Sequence, residues 1–231
     1  MKAVILAGGK GTRLRPYSMF IPKPLVPVGD RPILEILIKR LRECGVHEVL
    51  MCVNHLAEVI MSYFGDGSKF NIRMEYSLED MPLSTVAPTK LLKGLPENFL
   101  VVNGDLLTDL DFSDLYRYHL EKKGLLTVAV HKRKVNIDFG VVEVDEQKMV
   151  AVGFKEKPDY DLNASMGVYV FNRKLLDYIP GGEPYGFDDL MSFLLEKQQP
   201  VHIYQYSGYW MDIGRPDDYE KAIEDIEHLR L

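Results

Sequence analysis

Residues 7–16 read AGGKGTRLRP, directly after the apolar run KAVIL. Gly8, Gly9 and Gly11 carry no side chain to keep a ligand off the backbone, so their N–H groups can converge on an anion. Lys10, Arg13 and Arg15 add positive charge, and arginine presents a planar fork that matches phosphate oxygens. The asymmetry is local: residues 1–29 hold Lys2, Lys10, Arg13, Arg15 and Lys23 and no Asp or Glu, in a chain of formal charge −6. A polyphosphate ligand accounts for that composition. The two common phosphate loops do not describe it. The order GGKGT lacks the G-x-x-x-x-G-K-[ST] spacing, and Leu14 stands where G-x-G-x-x-G needs its third glycine.

Lys23 lies between Pro22 and Pro24, which stiffen the backbone around it. Asp105 follows Asn103 and Gly104 at the end of the apolar run FLVV. An acid there faces the crevice in which open α/β sheets hold ligands. No Ser/His/Asp or Cys/His pattern marks a covalent nucleophile. The six histidines are scattered, without metal-ligand spacing, and read as structural or surface groups.

These groups need a scaffold, and the chain alternates short apolar runs with amphipathic ones. Strands are expected at 2–7, 48–53, 72–77, 99–105 and 125–130, with helices at 56–64, 88–93 and 112–120. A further helix is expected to start at an Asp30 cap with Pro32 in its first turn and to end at Gly45. After residue 139 the strands crowd together, at 140–145, 149–154 and 166–171, which predicts antiparallel additions. Helices near 172–178 and 187–196, a strand at 201–206 and a helix over 216–229 close the chain. The expected fold is α/β: a Rossmann-like mixed, mostly parallel sheet flanked by helices, in one domain over residues 1–231.

At 46% hydrophobic and 27% charged residues, the 231-residue chain can bury a substantial core. A pI near 5.6 argues against a nucleic-acid binder. No apolar run approaches the roughly 20 residues that span a bilayer, so no membrane partner is expected. Cys44 and Cys52 are not a C-x-x-C pair and read as reduced thiols. These features together predict a cytoplasmic protein.

LAGGKGTRLRP followed by PKPLVPV (22–28) resembles the signature of the sugar-1-phosphate nucleotidylyltransferases, in particular mannose-1-phosphate guanylyltransferase-like catalytic domains. VVNGD (101–105), FGVVEVD (139–145), GFKEKP (153–158), MGVYVF (166–171) and GYWMDIGRPDDYEKA (208–222) follow in the family's order. The resemblance implies the nucleotide-diphospho-sugar transferase fold. It also implies that a sugar 1-phosphate attacks the α-phosphorus of a nucleoside triphosphate, giving an NDP-sugar for polysaccharide biosynthesis and pyrophosphate. The attacking oxygen is already ionised, so the site needs positioning and charge neutralisation rather than a general base.

By the same resemblance, Arg13 and Lys23 meet the reacting phosphates, and Asp105 and Asp212 hold Mg²⁺. Spacing alone could not have paired those two acids. The nucleotide would lie against Leu6, Ala7, Gly8, Gly9, Gly11, Thr12, Arg13, Glu79, Thr85, Asn103 and Gly104. The sugar phosphate would lie against Gly140, Glu156, Lys157 and Ser165. Lys10 is left out, because the family varies at its position.

Two segments depart from the pattern. Where the family often has L-G-T-A-G, this chain reads LSTVA, so Ser84 and Ala87 replace glycines and could crowd the base or ribose. Ser165 stands where an asparagine often contacts the sugar. Thymidylyl and uridylyl members tend to place a glutamine near the base, whereas Glu79 and Asp80 stand here. A carboxylate only accepts hydrogen bonds, and guanine offers adjacent N1–H and N2–H₂ donors. The expected nucleotide is therefore GTP, with mannose 1-phosphate or a related hexose or heptose 1-phosphate. CTP, or UTP or dTTP with glucose 1-phosphate, are the alternatives, as is a catalytically weak relative that binds an NDP-sugar and regulates a partner. A nicotinamide-dependent oxidoreductase is disfavoured by the missing third glycine. The charged C-terminal helix carries no hexapeptide repeats, so no left-handed β-helix is expected, and self-association is left open.

Overall fold

The computed structural model describes residues 1–79, 81–227 and 229. The first half runs β1 (Lys2–Leu6), β2 (Pro27–Val28), β3 (Arg31–Pro32), α1 (Ile33–Glu43), β4 (Glu48–Val53), α2 (Ala57–Phe64), β5 (Arg73–Leu78), β6 (Asn98–Asn103), β7 (Leu106–Thr108) and α3 (Phe112–Lys122). The second half runs β8 (Leu126–Asn136), β9 (Val141–Asp145), β10 (Val150–Lys155), β11 (Asp159–Asn172), α4 (Phe187–Glu196), β12 (Val201–Tyr206), β13 (Trp210–Asp212) and α5 (Pro216–Ile226).

Seven strands form the central sheet in the order β12-β8-β11-β6-β1-β4-β5. The pairs β6–β1, β1–β4, β4–β5 and β8–β12 are parallel; β11 runs against both β6 and β8. The sheet is thus mixed and mostly parallel, as the alternating pattern implied. Side chains of β1 alternate between two cores, Ala3 and Ile5 on one face and Val4 on the other. The first face is covered by α1, α2 and α3 through residues such as Leu37, Ile60 and Leu115, and the second by α4 through Leu190 and Leu194.

A third, smaller core sits apart. Leu14, Val26, Val28, Ile33, Leu107, Ile213, Tyr219 and Ala222 pack together, joining the glycine loop, α1, β7 and α5. Tyr219 donates its hydroxyl to the Pro27 carbonyl at 2.8 Å and closes that contact. This core carries the functional groups described below.

Several local expectations are corrected. Asp30 caps no helix: it lies in the turn of the β2–β3 hairpin, and α1 starts at Ile33 behind Pro32 with no side-chain cap. Gly45 does end α1, at φ +84°, where its N–H donates to Arg42 and that of Val46 to Leu41. β6 stops at Asn103, short of Asp105: the Gly104 N–H makes the last bond to β1, donating to the Leu6 carbonyl at 2.9 Å, and the chain turns at Gly104 and Asp105. The segments at 88–93 and 172–178 are 3₁₀ turns, Ala87–Leu91 and Arg173–Tyr178. β8 and β11 run well past their apolar stretches, because their exposed ends pair with each other alone, from Asn136–Asp159 to Lys132–Asn163. The β9–β10 hairpin forms its own ladder rather than joining the central sheet. Of the helix expected over 216–229, the structure gives α5 to Ile226, and His228 lies outside the described residues.

Candidate active site

The parallel strands β1, β4, β5 and β6 all end at one edge of the sheet, and each hands on a residue that lines a single cavity of about 510 Å³. β1 supplies Leu6 to Arg13, β4 supplies Asn54, β5 supplies Glu79, and β6 supplies Asn103, Gly104 and Asp105. That volume is within the range of small-ligand sites.

The glycine loop is held at both ends and bare in the middle. Ala7 donates its N–H to the Cys52 carbonyl at 2.9 Å. Gly11 takes φ +60° and opens the 3₁₀ turn Thr12–Leu14, and the Ser18 hydroxyl donates to its carbonyl at 2.6 Å. A Cβ on Gly11 would lie 2.9 Å from Lys23 Cβ, so both the angle and the space require glycine. Leu14, in the place of the missing third glycine, is fully buried in the small core. It is the anchor that fixes a loop whose other side chains face solvent or the cavity. A Cβ on Gly9 would meet nothing within 4 Å, leaving its backbone open to a ligand.

Asp105 and Asp212 meet because β7 and β13 pair antiparallel, with Leu106 opposite Asp212 and the Ile213 N–H donating to the Asp105 carbonyl at 3.2 Å. Lys23 reaches them from the proline-framed 3₁₀ turn Lys23–Leu25. Its ammonium donates to Asp105 Oδ2 and lies 3.8 Å from Asp212 Oδ1. Burial, and then the Asp105 carboxylate, push the Asp212 carboxyl above the ordinary carboxylate range, while Lys23 and Arg13 pull it back. Asp212 Oδ1 is buried and has no hydrogen-bond partner among the described residues. Arg13 stands close by, its Nη1 3.7 Å from the position of a Cβ on Gly214.

Those observations bear on a cation. Two neighbouring carboxylates, one of them raised by burial and by the other and left with a buried oxygen that has no partner, are a hard-oxygen donor set suited to a cation. The donor set fits Mg²⁺ with its remaining positions filled by phosphate and water. Among the described residues no group of three or more His, Cys, Asp or Glu gathers in one place, so the protein alone would supply at most two carboxylates.

Glu79 is 7% exposed, and burial pushes its carboxyl above the usual range. Oε2 accepts from the Leu83 N–H at 3.2 Å, while Oε1 faces the glycine loop, 2.9 Å from the position of a Cβ on Gly8. Asn54 holds the Glu79 backbone by donating Nδ2 to its carbonyl at 2.9 Å. Asp80 lies outside the described residues.

Thr85 lines the cavity, yet its hydroxyl is occupied in accepting the Phe187 N–H at the start of α4, 2.9 Å away. Val86 and Ala87 both donate to the Tyr185 carbonyl, so this segment is fastened to α4. Ser84 lines the cavity at φ +68°, the left-handed region that the family's glycine adopts freely. Ala87 does not crowd the cavity: it is buried in the second core.

The four residues expected at the sugar phosphate do not line this cavity. Gly140 and Glu156 face one another at the base of the β9–β10 hairpin, where a Cβ on Gly140 would be 3.3 Å from Glu156 Oε2. Lys157 is paired with Asp138 at 3.0 Å. Ser165 opens the bulge in β11, whose Gly167 packs on Asn103, a cavity residue. Lys10, which the sequence reading leaves out, does line the cavity, as do Asn54, Leu83 and Gly214. The rule that ligands sit at the carboxyl ends of parallel strands could have nominated Asn54, the residue after β4.

An open α/β sheet that gathers bare backbone and cationic side chains at the ends of its central strands is built to hold a phosphorylated ligand. Comparison with known proteins gives the family. Residues 2–228 match the Nucleotidyl transferase profile, and the chain belongs to that family. It is 34% identical over 246 residues to a UTP–glucose-1-phosphate uridylyltransferase of Synechocystis sp., covering 98% of this chain and 63% of that one. It is also 34% identical over 232 residues to a mannose-1-phosphate guanylyltransferase of Mycobacterium tuberculosis, covering 97% and 64%. The chain thus spans under two thirds of the length of these relatives. Among solved structures, HddC from Yersinia pseudotuberculosis complexed with GMP-PN superimposes at TM-score 0.74 with 26% identity, over 97% of this chain and 99% of that one. A Bacillus anthracis protein solved with sucrose superimposes at 0.78 with 23% identity over 100% and 97%, a likeness of fold alone.

Proposed function

We propose that the chain transfers a nucleotidyl group from a nucleoside triphosphate to a sugar 1-phosphate, releasing pyrophosphate. The observation that carries the reading is the convergence of Lys23 on the Asp105–Asp212 pair, with Arg13 close by, beside a bare glycine loop. Two anions must be brought together, and this site supplies fixed positive charge where they meet. Arg13 and Lys23 neutralise and orient the phosphates. The loop N–H groups, with Gly9 open to the cavity, donate to the triphosphate oxygens. Mg²⁺ held by Asp105 and Asp212 would supply further neutralisation of the phosphate oxygens. Gly140, Glu156, Lys157 and Ser165 are proposed for the sugar phosphate. The hairpin that bears three of them stands outside the cavity and would have to approach it.

GTP is the proposed nucleotide. Glu79 spends one carboxylate oxygen on Leu83 and keeps the other toward the loop, so it can accept from a base that offers donors. The guanylyltransferase relatives and the likeness to HddC solved with GMP-PN support this. UTP with glucose 1-phosphate is the second reading, favoured by the equally similar uridylyltransferase relative.

Pyrophosphate release in Mg²⁺, with five nucleoside triphosphates crossed against a panel of sugar 1-phosphates, tests both. Turnover with GTP and mannose or heptose 1-phosphate is expected. Turnover with UTP or dTTP alone would keep the transferase and sink the Glu79 reasoning. Silence across the panel, from protein that still binds an NDP-sugar, would favour the regulatory alternative.

A further inference from the structure

The Lys23 ammonium stands between two carboxylates that together carry more negative charge than it can cancel. It donates to Asp105 Oδ2 and approaches Asp212 Oδ1 only to 3.8 Å, leaving that buried oxygen without a partner. We propose that Lys23 is a stand-in cation: its ammonium fills the space between Asp105 and Asp212 and leaves only when a phosphorylated ligand draws it away, so that divalent metal enters together with the phosphates. The inference rests on the reading of Asp105 and Asp212 as metal ligands.

The mechanics follow from what is fixed and what is free. The Lys23 backbone is framed by Pro22 and Pro24 and pinned by Leu25 donating to Pro22 at 2.8 Å and Val26 donating to Lys23 at 3.1 Å. The start of its side chain packs on Gly11, with Cδ 3.5 Å from the position of a Cβ there. Only the outer torsions are left to move, and they can swing the ammonium through the cavity that Lys23 lines. The same cavity is lined by the bare glycine loop. An anion settled on that loop offers the ammonium an alternative partner, and the vacated carboxylates then attract a divalent ion. Two ligands that each favour the swung-out lysine must bind with positive coupling.

The test measures metal binding without turnover. Free Mn²⁺ is titrated by electron paramagnetic resonance against the wild type, K23M and K23Q, each alone, with D212N as the control for the site. Mn²⁺ affinity is expected to rise by about tenfold or more in both Lys23 variants, a factor typical of coupled sites. D212N is expected to bind no more tightly than the wild type. In EDTA the variants should melt below the wild type, and Mn²⁺ should restore them by mass action while leaving the wild type unmoved. Acetylation footprinting of the wild type supplies a readout that needs no variant: Lys23 labelling should stay unchanged with Mn²⁺ alone and change when Mn²⁺ and GTP are added together. Equal Mn²⁺ affinity in wild type and variants, or Lys23 labelling indifferent to Mn²⁺ and GTP together, would overturn the stand-in while leaving the metal site. Failure of every protein to bind Mn²⁺ even with GTP present would overturn the metal reading and the inference with it.

Discussion

The carboxylate of Glu79 fills the space that a side chain on Gly8 would need, its Oε1 lying 2.9 Å from the ideal Cβ position. The first glycine of the loop and the acid that follows β5 are therefore one device. Gly8 cannot gain a side chain without moving Glu79, which is also tied through Oε2 to Leu83 and through its carbonyl to Asn54.

Glu79→Gln tests the base reading without changing the shape. The amide oxygen can still accept from Leu83, and the loop-facing oxygen becomes an NH₂ donor. If that oxygen accepts from guanine, kcat/KM for GTP should fall by about tenfold or more, one charge-assisted hydrogen bond being worth about 1.5–3 kcal/mol. UTP turnover should fall less. An equal loss for both nucleotides would remove Glu79 from base choice.

Asp212→Asn separates activity from stability. The substitution removes a carboxyl already raised by burial and by Asp105, and it leaves the Lys23–Asp105 pair in place. Turnover should drop by about 10²-fold or more, while the melting temperature stays level or rises. A large drop in both would mean that Asp212 is mainly structural.

Leu14→Ala loosens the loop from beneath. Leu14 is fully buried, and emptying such a site typically costs about 2–5 kcal/mol. Urea denaturation should register that loss, and KM for the nucleoside triphosphate should rise because the loop has lost its anchor. Loss of stability with unchanged KM would show that the glycines hold their shape without it.

His119 makes stability fall on the acid side. Burial pushes its imidazole down to about 4. The neutral ring is satisfied by Thr127 at Nδ1, 2.8 Å, and by Asn98 Oδ1 at Nε2, 3.1 Å. The unfolded chain binds a proton there near pH 6.5 and the folded one does not, so this contribution is complete above about 6.5 and is lost as pH falls toward 4. Melting temperature should decline through that window, and His119→Gln should flatten the decline. An unchanged slope in the variant would place the acid sensitivity elsewhere.

How much of this was legible beforehand depends on the length of the signal. β1 (KAVIL) and β4 (EVLMCV) are apolar after their first residue and β12 (VHIYQY) is rich in β-branched and aromatic residues, and the bounds of all three follow from the sequence to within a residue. Gly45 announces the end of α1 because only a left-handed residue closes that helix. By contrast β7 and β13 are three residues each, too short to show a period, yet their pairing alone brings Asp105 to Asp212. The hydroxyl of Thr85 is likewise silent in sequence, since a threonine that fastens a helix looks the same as one that meets a ribose. Asp30 misleads for the opposite reason: it has the right chemistry for a cap, but a hairpin of two-residue strands claims it first.

The small core that seats Leu14 also takes Ile213, Tyr219 and Ala222, and Tyr219 fastens Pro27 from 192 positions away. During synthesis the glycine loop leaves the ribosome together with Val26, Val28 and Ile33, about two hundred residues ahead of the Ile213, Tyr219 and Ala222 that complete its seat. A nascent chain can assemble β1, β4 and β5 early and still hold its glycine loop only partly anchored. The seat is complete only when α5 emerges and residues 213–222 close over Leu14.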